Sequence, residues 1–218
     1  MYLNSNTQEN NGPKKPLRGF IPCGGTSAAY MNHLTMVLEY DLKVWSTIKM
    51  PVLLDNKVIV REKKVKDALI PKGFGDKKDS DLILDLLEAC YLFEKEKIEI
   101  KDENGKKTDL ETLLSRGAKK NKNFYNKLVV FKDLRERGFV VKTGFKFGFD
   151  LRVYPRGKKP GEEHTQWVIK VSTQDEKMSM TEYSRMVRLA GNIKTTLLLA
   201  VVDSENDVNY YETKRITP

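Results

Sequence analysis

Apolar positions along the chain keep two rhythms, one of about two residues and one of about 3.6, and each rhythm predicts a different element. In "MPVLLDNKVIVRE" two short apolar runs flank Asp55-Asn56-Lys57, the pattern of a hairpin. In "KKDSDLILDLLEACYLFEKEKIEI" apolar residues at 82, 83, 86, 87, 90 and 91 recur at the spacing of one helical face. This stretch predicts a helix capped by Asp79 or Ser80, with lysines gathering near its end. A turn at 102–105 and a second helical stretch at 109–117 follow. "GAKKNKN" (117–123) changes the composition and reads as a linker. Next comes "NFYNKLVVFKDLRERGF", a helix with apolar positions 124, 128, 131 and 134 that stops at Gly138. "FVVKTGFKFGFDLRVYP" predicts two strands joined around Thr143-Gly144. On the second, Phe147, Phe149, Leu151 and Val153 share one face, and Lys146, Asp150 and Arg152 the other. "TQWVIKVS" is a third strand, and "MTEYSRMVRLAGNI" a helix with its cap near Met180 or Thr181. "TTLLLAVVD" and "VNYYETKR" close the chain as strands around an acidic loop.

The order after the linker is α-β-β-β-α-β-β. The fold class is therefore α/β (α+β): a small mixed N-terminal domain at 36–117, followed by a mixed-sheet α/β domain at 118–218. Residues 1–35 form a flexible or unassigned extension, polar and rich in proline and glycine at its start. A hydrophobic fraction of 39% and a charged fraction of 32% describe a soluble protein with a heavily charged surface. No apolar run nears the roughly 18–20 residues of a membrane span, so no membrane role is expected. The first 30 residues lack the pattern of a signal peptide. Cys23 and Cys90 are too few for a disulfide framework or a zinc site, which points to a reducing, cytoplasmic setting. A net charge of +9 suits a polyanionic partner such as nucleic acid, but equally the lysine-rich surface of a thermophile's protein.

Candidate chemistry concentrates in "RVYPRGKKPGEEHTQWVIKV". The chain has two histidines; His33 has no visible partner and is read as structural or solvated, whereas His164 opens an apolar run. Histidine titrates near neutrality and is a ready acid or base, while a tyrosine such as Tyr154 needs nearby cations to act as a base. Arg156, Lys158 and Lys159 lie in the loop between them, and Lys194 precedes the "LLLAVVD" strand. Tyrosine, histidine and lysine together suit a phosphodiester cleaved by its own 2′-hydroxyl, with no metal. As isolated residues they are weak evidence, since a tyrosine and a histidine ten apart often occur by chance as an ordinary strand end and a surface loop.

The ordered set of blocks is more specific. "FKDLRERGFVVKTG", "FKFGFDLRVYPRG", "GEEHTQWVIKV" and "RLAGNIKTTLLLAVVDSENDVNYYE", in this order, resemble the catalytic domain of archaeal tRNA-splicing endonucleases. "VLLDNKVIV" and "LILDLLEACYLFEKEKIEI" resemble that family's N-terminal domain. The similarity spans about 36–218, while residues 1–35 match nothing recognised. The resemblance implies a metal-independent endoribonuclease, without cofactor, that excises introns from precursor tRNA at bulge–helix–bulge junctions. Its products would carry a 2′,3′-cyclic phosphate and a 5′-hydroxyl. It also implies Tyr154 as general base, His164 as general acid and a lysine that stabilises the transition state.

Counted from His164, that lysine is Lys194, thirty residues on; counted from Arg188, the family's position seven residues later is Thr195. We assign Lys194. A structural subunit that has lost the lysine is the alternative, against which the retention of both Tyr154 and His164 speaks. Arg188 either pairs with an acidic neighbour or, as the resemblance implies, sandwiches a bulged base with a second arginine, Arg215, with Lys214 behind it. Asp203, Glu205 and Asp207 form a solvated hairpin tip or, in the family reading, a loop that docks into a basic pocket on another subunit. The closing strands are apolar for a sheet edge, which fits burial against a partner. The partners implied are precursor tRNA and either further copies of this chain, as a homo-oligomer, or a structural subunit completing a heterotetramer. The nearest rival is a metal-dependent nuclease using Asp150 with Glu162 or Glu163, although the acidic–x–lysine ending of such sites is missing.

Overall fold

Two antiparallel hairpins build the first of two sheets. The computed structural model describes residues 50–144, 148–158 and 160–216, all within one compact unit, Thr47–Pro218. The extension at 1–35, His33, Cys23, Lys146, Phe147 and Lys159 lie outside the described residues. Strands β1 (Val52–Leu54) and β2 (Lys57–Val60) pair with Leu54 opposite Lys57, and Asp55 turns between them at φ 48°. Strands β3 (Asp76–Lys78) and β4 (Asp81–Asp85) form the second hairpin, and the sheet order is β1-β2-β4-β3.

Here the expected helix from 80 onwards is corrected. Leu82 and Leu84 alternate into the core as strand β4, and helix α2 begins only at Leu86. Its cap is Asp85, not Asp79 or Ser80: the Leu87 N–H donates to Asp85 at 3.2 Å and the Asp85 N–H donates to Glu88 at 3.1 Å, a capping box. A short helix, α1 (Lys63–Leu69), precedes β3 and was not anticipated, since it buries only Leu69. After α2 (Leu86–Glu94), helix α3 (Leu110–Lys120) is capped by Asp109 and runs into the stretch read as linker.

The second sheet follows helix α4 (Phe124–Glu136). Its strands are β5 (Val140–Thr143), β6 (Leu151–Tyr154), β7 (Trp167–Thr173), β8 (Thr196–Val202) and β9 (Val208–Thr213), in that spatial order. Only β7 and β8 run parallel, joined by the crossover helix α5 (Met180–Asn192). The α5 cap is Ser179, whose hydroxyl accepts from the Glu182 N–H, rather than Met180 or Thr181. Strand β8 is interior, not an edge; β9 is the edge, and it exposes Tyr211.

One apolar cluster, from Leu53 through Phe131 to Val202, takes side chains from both sheets and from α2, α3 and α4. A smaller cluster of Phe149, Val168, Met186, Ala190 and Leu197 lies under α5 on the other face of the second sheet. Phe149 therefore does not share a face with Leu151 and Val153, because β6 starts only at Leu151, after Gly148 at φ 84°. Lys142 of β5, itself buried, pairs with buried Glu88 of α2 at 3.0 Å and donates to the Gly75 carbonyl at 2.6 Å. Burial pushes the Glu88 carboxyl above its usual range, with Lys142 opposing. Among the described residues no helix is long and apolar enough to cross a membrane.

Candidate active site

Strands β6 and β7 hold the two ends of the loop that carries the expected chemistry. Arg152 stands opposite Val168 and Val153 opposite Trp167, and the Gln166 N–H donates to the Val153 carbonyl at 2.8 Å. Gly157 and Gly161 turn the loop at φ 74° and 94°, values that suit glycine. Two of its basic residues are engaged: the Arg156 guanidinium lies 5.0 Å from the Phe139 ring centroid, and Lys158 pairs with Glu163 at 3.7 Å.

Tyr154 ends β6, is buried, and faces Val140 of β5. His164 is exposed on a pocket of about 190 Å³ whose walls also include Arg152, Thr165 and Thr195, over a floor of Phe149, Val168 and Ile193. Among the described residues Tyr154 and His164 share no hydrogen bond, and Tyr154 is not on this wall. Register nevertheless brings the two regions close. One step beyond the Val153–Trp167 and Trp167–Thr196 pairs, Tyr154, Gln166 and Thr195 fall in one row across β6, β7 and the entry to β8.

Lys194 is exposed at the end of α5. The Thr195 N–H donates to Ala190 and the Lys194 N–H to Gly191, each at 3.0 Å, which is a Schellman motif. Its left-handed position, usually glycine, is Lys194 itself at φ 56°. The Thr195 hydroxyl donates to the Gln166 carbonyl at 3.0 Å, so the chain leaves the helix tied to β7. Thr195, not Lys194, is on the wall of the His164 pocket.

Arg188 and Arg215 are brought together on a second pocket, of about 370 Å³, with Tyr183, Ser184, Val187 and Thr213. A 2.6 Å hydrogen bond between the Tyr183 and Thr213 hydroxyls ties α5 to the end of β9 there. Lys214 is off this wall and pairs with Glu212 at 2.9 Å, holding that carboxyl below its usual range. In the acidic loop the Asp203 carboxylate accepts from the Glu205 and Asp207 N–H groups at 2.9 and 2.8 Å, while Glu205 and Asp207 are exposed. A larger cavity, about 690 Å³, lies elsewhere, against α1, α2 and Arg135, and is edged by Lys64, Lys72, Lys95 and Lys97.

Asp150, half of the rival metal site, is committed to other partners: Lys127 at 2.6 Å, Lys170 at 3.8 Å and the Val171 N–H at 2.8 Å. No three metal-ligating side chains gather among the described residues. Sequence reasoning did not single out Arg152 or Tyr183. Arg152 was legible as the charged member of an otherwise apolar strand; Tyr183 carried no signal.

Residues 124–210 match the tRNA intron endonuclease catalytic C-terminal domain, and residues 51–114 match the tRNA intron endonuclease N-terminal domain. A tRNA-splicing endonuclease from Thermococcus onnurineus is 40% identical over 152 residues, 70% of this chain and 86% of that protein. One from Pyrococcus abyssi is 37% identical over 72% of this chain and 90% of its own length. One from Methanothermobacter thermautotrophicus is 34% identical over 66% and 84% respectively.

Proposed function

This chain belongs to the tRNA intron endonuclease family, and on that premise we propose that it cuts precursor tRNA at bulge–helix–bulge exon–intron junctions, as a tRNA-intron lyase. The 2′-hydroxyl attacks the adjacent phosphorus and the bond to the 5′-oxygen breaks, leaving a 2′,3′-cyclic phosphate and a 5′-hydroxyl. Tyr154 takes the proton of the 2′-hydroxyl, His164 protonates the 5′-oxygen, and Lys194 contributes positive charge from the end of its flexible stem. No metal or cofactor enters these steps.

The observation that carries the reading is the pairing of Arg188 and Arg215 on one pocket, although they stand on different elements. Two guanidinium groups facing one space suit an unpaired base, held by stacking and cation–π attraction. Lys214, next in sequence, adds positive charge at the clamp's rim. Two cuts in one RNA call for two catalytic centres, so the working unit is an oligomer of this chain or a heterotetramer with a structural subunit. Glu205 and Asp207 would dock there into a basic pocket of a second subunit, and the lysine-edged cavity beside α1 has the complementary charge.

Cleavage of a bulge–helix–bulge RNA in excess chelator tests the reading. Cutting by the parent chain should persist and yield cyclic-phosphate ends, and His164→Ala should be slower by about 10²–10⁴-fold. Chelator-sensitive cutting, or a parental rate in His164→Ala, overturns it. Thr195 on the pocket wall favours a second reading, a structural subunit; that reading requires the chain to be inactive alone and its partner to cut.

A further inference from the structure

We propose that Arg152 is a catalytic residue, the main cation that neutralises the charge gathering on the scissile phosphate. The proposal rests on the endonuclease reading above and extends it to a residue that neither the expected triad nor the family match assigned.

Three observations meet at this side chain. Arg152 shares the roughly 190 Å³ pocket with His164, so a phosphate placed for protonation by His164 lies within the same walls. Thr195 is on the pocket wall, whereas Lys194, the left-handed residue of the Schellman motif at φ 56°, is off it. Among the described residues lining the pocket, Arg152 is therefore the one that carries a permanent positive charge. Its head is also positioned, because Arg152 Nε donates to the Thr143 carbonyl at 3.3 Å.

The chemistry suits a guanidinium. As the bond from the 2′-oxygen to phosphorus forms and the bond to the 5′-oxygen breaks, negative charge peaks on the two non-bridging oxygens. A planar fork of N–H groups can meet both. A fixed donor aimed at charge that develops only in the transition state accelerates the step without tightening ground-state binding in proportion.

Single-turnover cleavage of the bulge–helix–bulge RNA, with enzyme in excess, is compared for the parent, Arg152→Gln, Arg152→Lys and Lys194→Gly. Glycine at 194 removes the ammonium while suiting the left-handed backbone. Arg152→Gln should fall by about 10²–10³-fold, Arg152→Lys should lie between it and the parent, and Lys194→Gly should fall less than Arg152→Gln. Binding of the same RNA blocked with 2′-deoxy residues at the cleavage sites should change by less than about fivefold. Adding Thr195→Lys to Arg152→Gln should restore part of the rate by returning a cation to the pocket. A rate for Arg152→Gln within about threefold of the parent, a loss seen wholly in binding, or a larger loss in Lys194→Gly would each overturn the assignment.

If the parent does not cut, the endonuclease reading fails instead, and the anion site is judged by inorganic phosphate alone. Phosphate should shift the His164 ring signals in NMR spectra of the parent and not of Arg152→Gln. Shifts that persist in Arg152→Gln, or that are missing from the parent, overturn the site.

Discussion

Lys142 pairs with Glu88, and both are buried, while its second carboxylate neighbour, Asp76 at 3.3 Å, is exposed to water. Removing one member of such a pair leaves the other without compensation. Lys142→Met should therefore lose about 3–5 kcal/mol near neutral pH, read by urea denaturation, and Glu88→Gln added to it should recover most of the loss. The pH dependence has a definite sign. Burial already raises the Glu88 carboxyl above its ordinary 4.5, and removing the cation raises it further. The folded variant then holds the proton at pH values where the unfolded chain has released it. Its stability is greatest below the unfolded value and declines as pH climbs towards the folded one. The deficit of Lys142→Met should thus be smaller at about pH 5 than at about pH 8; equal deficits would mean that Glu88 is not the stranded charge. Residue type alone does not reveal this pair, because Lys142 in "VVKTG" reads as an exposed member of an edge strand.

Elements with one rhythm and clear punctuation were legible. Helix α4 runs between Asn123 and the Gly138 turn, and β8 ends at the acidic loop, so both lie where the apolar pattern puts them. The junction of β4 and α2 was not legible, since Leu82, Leu84, Leu86 and Leu87 follow one another with neither glycine nor proline between the two periods. The site shows the same limit. Tyr154 and His164 stand out by chemical type, but the identity of the His164 pocket's other walls depends on cross-strand register, a non-local property. Close approach of helices is equally invisible in one dimension. Gly117 of α3 lies where a Cβ would come within 2.4 Å of the Phe124 ring of α4, whereas a Cβ at Gly191 of α5 would meet nothing within 4 Å. The same change should have opposite signs: Gly117→Ala should cost about 1–3 kcal/mol through overpacking, and Gly191→Ala should gain about 0.5–1 kcal/mol. Thermal melts of the two variants check this, and a stabilised Gly117→Ala protein would show that α3 and α4 can separate freely.

At the scale of the whole molecule, charge separates the acidic loop from the lysine-edged cavity beside α1. Asp203 spends its carboxylate on the loop's own N–H groups, which leaves Glu205 and Asp207 to face outward on a fixed turn. Replacing both with lysine should convert the proposed assembly to a monomer by light scattering, with the far-ultraviolet spectrum intact, and should abolish RNA cleavage. Pairing that variant with a Lys64→Glu, Lys97→Glu chain should restore mixed dimers, and an unchanged mass for the lysine variant would rule this loop out as the contact. The apolar cluster that joins the two sheets has a further consequence, for biosynthesis. Its first member, Leu53, leaves the ribosome long before its last, Val202, which lies in an interior strand of the second sheet. A nascent chain halted after α3 would carry an uncovered apolar face with no partner to close on. The cluster is complete only once β8 has been made, so growing chains expose, for most of their length, apolar surface that the finished protein buries.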